Sequence, residues 1–137
     1  MGHDPELVAE TRSWLRKAAE DLRAARFEMT AEPPLLADIV FHDQQAVEKA
    51  LKGFLTWHSR PFRKTHLLEE LGEACRQIDA TLRPVVDRVV PLTAYAWKYR
   101  YPGDPEEPSK AEAEAALATA QTAYDAILSR LPEEVWP

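Results

Sequence analysis

At 137 residues the chain fits a single domain, 1–137, that can bury about two thirds of its unfolded surface without a metal or disulfide. A net charge of -6 excludes a surface given over to nucleic-acid phosphate, which demands concentrated Lys and Arg, and no DNA binding is expected. The lone Cys75 has no partner for a disulfide or a structural zinc, no apolar run has transmembrane length, and Met1 to Glu6 lacks signal-peptide character, so a cytoplasmic protein with no membrane contact is expected.

From about Glu6 to Met29, the residues Val8, Leu15, Ala18, Leu22, Ala25 and Met29 recur at three- and four-residue steps among charged ones. This spacing predicts a long amphipathic helix, its apolar face widened by Trp14. Pro33 and Pro34 remove donors and constrain the residues before them, so the helix must stop ahead of them. A second helix is predicted from Ala37 or Asp38, where the Asp can cap free backbone donors, to about Ser59. In it Ile39, Val40, Ala46, Val47, Ala50, Leu51, Phe54, Leu55 and Trp57 fill one broad arc, interrupted by Asp43 and Gln44. An arc this wide touches several neighbours and belongs near the centre of a bundle. His42, Gln45, Lys49 and Lys52 line the opposite side, with Glu48 at its edge, either as a solvated face or as a ligand surface.

Arg60, Arg63 and Lys64, with His58 and His66, form the strongest positive cluster, open to reading as a soluble loop or as a phosphate site. Thr65 is the predicted N-cap of a shorter helix that buries Leu68, Leu71, Cys75 and Ile78 and carries His66 in its first turn. Asp79 or Thr81 opens a fourth segment, with Pro84 tolerated in its first turn. Pro91 breaks or kinks it, and Leu92, Tyr95 and Tyr99 continue for a turn or two to Tyr99-Arg100-Tyr101-Pro102. Pro102, Gly103, Pro105 and Pro108 mark a connector. Ser109-Lys-Ala-Glu112 reads as a capping box, and Ala113, Leu117, Ala120, Tyr124, Ile127 or Leu128, and Leu131 stripe the helix it opens. Residues 132–137 read as a tail on which Trp136 could dock. No run alternates with period two, so the expected fold is an all-α up-and-down bundle of four main helices plus a short one.

The chain has no HExxH, no Walker loop, no GxGxxG and no paired Glu-x-x-His, so neither metal nor cofactor is expected. Cys75 lies on a buried helix face and reads as a small hydrophobe, leaving no candidate nucleophile and no assigned catalytic residue. Arg100 stands out, because Pro102 holds Tyr101 extended and so lets the end of the preceding helix aim the guanidinium fork at a phosphate or carboxylate. An Arg between Tyr rings is compatible with a nucleotide site. Asp104 and Glu106 could equally pin it, as could Asp21 or Glu48.

Four groups of residues together resemble the HEPN domains of prokaryotes. They are Ala18-x-x-Asp21-Leu22-x-x-Ala25-Arg26, the run Phe41-His-x-Gln-Gln-Ala-x-Glu-Lys-Ala-Leu-Lys52, Thr65-His66-x-Leu68, and Leu92-Thr-x-Tyr95 through Arg100-Tyr-Pro102. The resemblance implies a helical bundle that pairs as a two-fold homodimer, often with a minimal nucleotidyltransferase as partner in toxin-antitoxin modules. Many relatives are metal-independent ribonucleases with an Arg followed, after a short spacer, by a His. Arg100 matches the Arg, whereas positions 105, 106 and 107 hold Pro, Glu and Glu, and no His follows His66. Without an imidazole to move the proton of a ribose 2′-hydroxyl, the expected function is non-catalytic binding of a nucleotide or RNA phosphate. The residues assigned to it are Arg100, Lys49, Lys52, Gln45, His42, Tyr101 and His66. Two alternatives stay open: a divergent ribonuclease in which His66 or His42 supplies the imidazole, and a purely structural interaction module. Surplus aromatics, Trp57, Trp97, Trp136 and Phe62, also point to a dimer.

Overall fold

The computed structural model describes residues 2–103 and 106–137, and every regular element among them is helical. Helix α1 (Pro5–Met29) is opened by Asp4, whose side chain accepts the Glu6 amide, with Pro5 in the first turn. It ends ahead of Pro33 as the proline pair requires. Helix α2 (Leu36–Trp57) returns along it and also packs on the last helix and on α3. Apart from Trp57, every apolar residue of its predicted arc is at most 1 % exposed. Each large one stabilises the fold by about 1.5–3 kcal/mol through burial. Asp43, Gln44, Glu48 and Lys52 are buried as well, so α2 is enclosed on almost all sides rather than along one arc.

Helix α3 (Leu68–Ile78) begins later than Thr65 would have it. The Thr65 hydroxyl accepts the Leu67 amide, and the Leu68 amide is answered by Thr93 instead, so His66 precedes the helix rather than riding in its first turn. Cys75 is buried, and burial pushes its thiol up to about 12, the inert state expected of it. Asp79 caps a 3₁₀ turn, Ala80–Leu82, that leads into α4 (Arg83–Val89). A Cβ built on Gly72 would lie 2.6 Å from Val86 Cγ1, so Gly72 is what lets α3 and α4 close on each other. Gly72→Ala is expected to destabilise the protein in urea melts, because overpacking of about 1–3 kcal/mol outweighs the roughly 1 kcal/mol gained in helix propensity. Unchanged or raised stability would show that Val86 moves freely.

Pro91 does not stop the chain. Lacking an amide hydrogen, it sits at the start of a 3₁₀ run, Val90–Ala96. A turn over residues 97–99 follows, with Tyr99 in the left-handed region at φ 66. Arg100 therefore lies in the loop beyond that turn and not at a helix end.

Helix α5 (Lys110–Leu128) starts as predicted, with the Ser109 hydroxyl accepting the Glu112 amide. The Glu112 carboxylate accepts the Tyr95 hydroxyl at 2.5 Å and so ties α5 to the 3₁₀ run. Its Ala113, Ala116, Ala120 and Ala123 are buried, and such small side chains let α2 approach closely. Residues 132–137 do not trail as a tail. Val135 is buried, the Trp136 indole donates to the carbonyls of Leu128 and Leu131, and Arg12 on α1 donates to the Glu134 carbonyl. No described helix is long and apolar enough to cross a membrane.

Candidate functional site

The polar stripe of α2 splits into two sets of contacts. Positions 38, 42, 45 and 49 recur on one face of α2, and positions 21 and 28, two turns apart, face them from α1. Asp21 accepts His42 Nδ1 at 2.9 Å on one oxygen and Lys49 Nζ at 2.6 Å on the other. His42 Nε2 stands 3.6 Å from Glu28 Oε1. The hydrogen bond to Asp21 pushes the His42 imidazole up despite partial burial. Burial, and then the adjacent Asp38, push the Glu28 carboxyl up to about 7.

Arg100 joins this seam. Its guanidinium lies 3.3 Å from Asp38 Oδ1, and its central carbon stands 3.6 Å from the centre of the Phe41 ring. The aromatic ring over which the guanidinium lies is thus that of Phe41, and of the two tyrosines flanking Arg100 in sequence, Tyr99 stacks on Tyr95 instead. The acidic partner is Asp38 rather than Asp21 or Glu48. Asp104, also named for that role, lies with Pro105 outside the described residues. A third of the Arg100 side chain stays open to solvent, which keeps one side of the planar fork reachable. Tyr101 is 69 % exposed next to it.

The second set centres on Glu48. Its carboxylate accepts Lys52 Nζ at 3.0 Å, His66 Nδ1 at 2.7 Å and the Gln44 amide at 3.2 Å. Lys52 is 6 % exposed and its ammonium sits over the Trp14 and Phe62 rings. Gln45 turns its amide to Gln44. Lys52 and His66 are therefore gathered around a buried carboxylate, to which Gln45 is linked only through Gln44, apart from the contacts of Arg100. The positive loop is likewise answered by α3: Arg63 contacts Glu70, and Arg60 donates to Gln77. A groove of about 520 Å³ lined by Leu67, Glu69, Glu70, Glu73, Val90 and Thr93 is acidic and so unsuited to phosphate.

The HEPN domain model matches residues 11–131, most of the chain and every element from α1 to α5. The chain belongs to the HEPN family. Neither the curated proteins nor the solved structures yield a match to it. Membership relates the chain in general terms to nucleotide and RNA chemistry. Within this HEPN domain the second-helix run supplies both sets of contacts, while the Arg-Tyr-Pro run supplies Arg100. Of the positions where the family's His would fall, 105 is undescribed, and Glu106 and Glu107 are exposed.

Glu28, Asp38 and Phe41 were missed as site residues. Asp38 and His42 are four apart, and Asp21 and Glu28 seven apart, so the signal lay in pairing the polar faces of α1 and α2 across the short connection between them. Asp43 was read only as an interruption of the apolar arc. It is fully buried, neither carboxylate oxygen has a hydrogen-bond partner, and burial pushes it up to about 8, which keeps it neutral at pH 7.

Proposed function

We propose that this HEPN protein binds a nucleotide or RNA phosphate without cutting it, as a homodimer, and works with a minimal nucleotidyltransferase in a module of the toxin-antitoxin type. The observation that carries the ligand is the placement of Arg100. Stacking on Phe41 fixes the plane of the guanidinium, Asp38 holds one edge, and the open remainder is oriented for an anion before one arrives. Lys49 and His42 add positive charge along the same seam, each about a quarter exposed. Tyr101 and Trp97, exposed in the same loop, offer faces on which a base can stack. Lys52, Gln45 and His66 then serve the site by holding α2 rather than by touching the ligand. Exposed Phe27, Leu35 and Trp97 support pairing of two copies.

Calorimetry with ATP, GTP and a short RNA tests the ligand. Arg100→Ala is expected to weaken binding roughly 10–100-fold, the loss of a charge-assisted hydrogen-bonded contact of about 1.5–3 kcal/mol. Absence of binding by the wild type to all three overturns the reading. One observation favours the ribonuclease alternative in a narrower form: His42, not His66, shares the seam of Arg100 through Glu28 and Asp38. RNA cleavage in EDTA that both His42→Ala and Arg100→Ala abolish would replace the binding role with that one.

A further inference from the structure

Three metal-ligating side chains gather where α1 ends and α2 begins. One ligand atom from each of Glu28, Asp38 and His42 lies within 4.8 Å of the other two. Glu28 occupies the last turn of α1, while Asp38 and His42 stand one turn apart on α2. The Asp21 carboxylate, which also accepts Lys49 Nζ, takes the Nδ1 hydrogen of His42 at 2.9 Å, so a metal at Nε2 would use the lone pair that faces the trio. Opposite it at 3.6 Å is Glu28 Oε1, an atom removed from solvent and without a hydrogen-bond partner. The two atoms are too far apart to satisfy each other. Two donors bound to one ion at about 2.1 Å stand roughly 3.0–3.5 Å apart, so little movement is needed for both to reach it. The Asp21 carboxylate behind the imidazole is also the arrangement that fixes the tautomer and orientation of a ligating histidine.

We propose that Glu28, Asp38 and His42 form a binding site for a divalent first-row transition metal, with solvent completing the coordination. The imidazole sets the class, since Mg²⁺ and Ca²⁺ favour oxygen alone. Arg100 stands outside the donor set and shares only Asp38, at 3.3 Å. Its positive charge opposes a cation, so the site does not rest on the phosphate-binding reading and competes with it for Asp38 and for His42, which must give up its positive charge to ligate a metal.

The full chain, stripped with EDTA, is titrated with Zn²⁺ and separately with Co²⁺ near neutral pH. One ion per chain is expected, with Co²⁺ giving visible d–d absorption. His42→Gln and Glu28→Gln should each weaken the affinity at least about tenfold, and Asp21→Asn, which removes no ligand, by roughly 10–100-fold. His58→Gln, at the opposite end of α2 from the trio, should leave the metal affinity unchanged, and Arg100→Ala should bind the ion as well as or better than the wild type while losing nucleotide. Circular dichroism checks that each variant folds. If one does not, Mn²⁺ added to labelled wild type decides, since the His42 ring resonances must broaden first. No bound ion, affinity indifferent to His42→Gln and Glu28→Gln, or broadening centred elsewhere overturns the site, whatever the nucleotide titrations give.

Discussion

Replacing Glu48 with alanine is expected to destabilise the protein by about 3–5 kcal/mol, the usual consequence of leaving one member of a buried ion pair without its counter-charge. The Glu48 side chain is 6 % exposed and that of Lys52 8 %, so the Lys52 ammonium would keep only the Trp14 and Phe62 rings for company. His66 Nδ1 and one bond of the Gln44 amide would be lost as well. The reverse change should be milder. Lys52→Met leaves Glu48 still hydrogen-bonded to His66 and Gln44, and a Met fits the stem's path between the rings. Pairing Glu48→Leu with Lys52→Met should recover much of the loss, because two apolar groups replace two desolvated charges. Urea unfolding followed by circular dichroism measures all three. A loss under about 1 kcal/mol for Glu48→Ala would mean that water reaches Lys52 and that the pair behaves as a surface one.

The second large effect is a dependence of stability on pH that traces to Asp43. Burial, reinforced by the nearby Glu28 charge and opposed by His42, raises its carboxyl to about 8 in the folded protein, against about 3.9 in an unfolded chain. Between those values the folded state keeps a proton that the unfolded state has released, so raising the pH favours unfolding. The contribution of this group is therefore complete below about pH 4 and declines by roughly 1.4 kcal/mol per pH unit up to about pH 8, beyond which it is flat. Asp43→Asn removes the titration while keeping the shape. The stability difference between variant and wild type should then move steadily in the variant's favour across that window, even though other groups titrate in both proteins. Parallel profiles would show that the Asp43 carboxylate finds a partner or solvent after all.

The helical bundle was legible because its signals are local. Proline pairs, the Ser109 cap and three-to-four apolar spacing act within a turn or two, and the element order follows from them. Boundaries slipped where a distant residue decided. Thr93 answers the Leu68 amide and so moves the start of α3, and the Arg12 bond to the Glu134 carbonyl draws residues 132–137 onto α1 through a contact that no short-range pattern announces, while the docking of Trp136 was already open from the sequence. The site was legible in part for the same reason. Arg100 and the α2 stripe could be picked out by residue type and spacing, but their sorting could not. Lys49 and Lys52 are three apart on the same helix, yet one reaches Asp21 on α1 and the other Glu48 on its own helix, with its ammonium over the Trp14 ring. Which one a ligand can reach depends on the rotation of α1 against α2, a quantity set by packing across the core. The left-handed turn at Tyr99 had no glycine to advertise it, and that turn carries Arg100 to Asp38.

Asp21 is one carboxylate answering two cations on different oxygens, His42 on one and Lys49 on the other. Substitutions at 21, 42 and 49 are therefore not separable events: losing either cation leaves the acid half-answered, and losing the acid strands both. In lineages descended from a chain like this one, the three positions should covary, drifting as a set or staying put together.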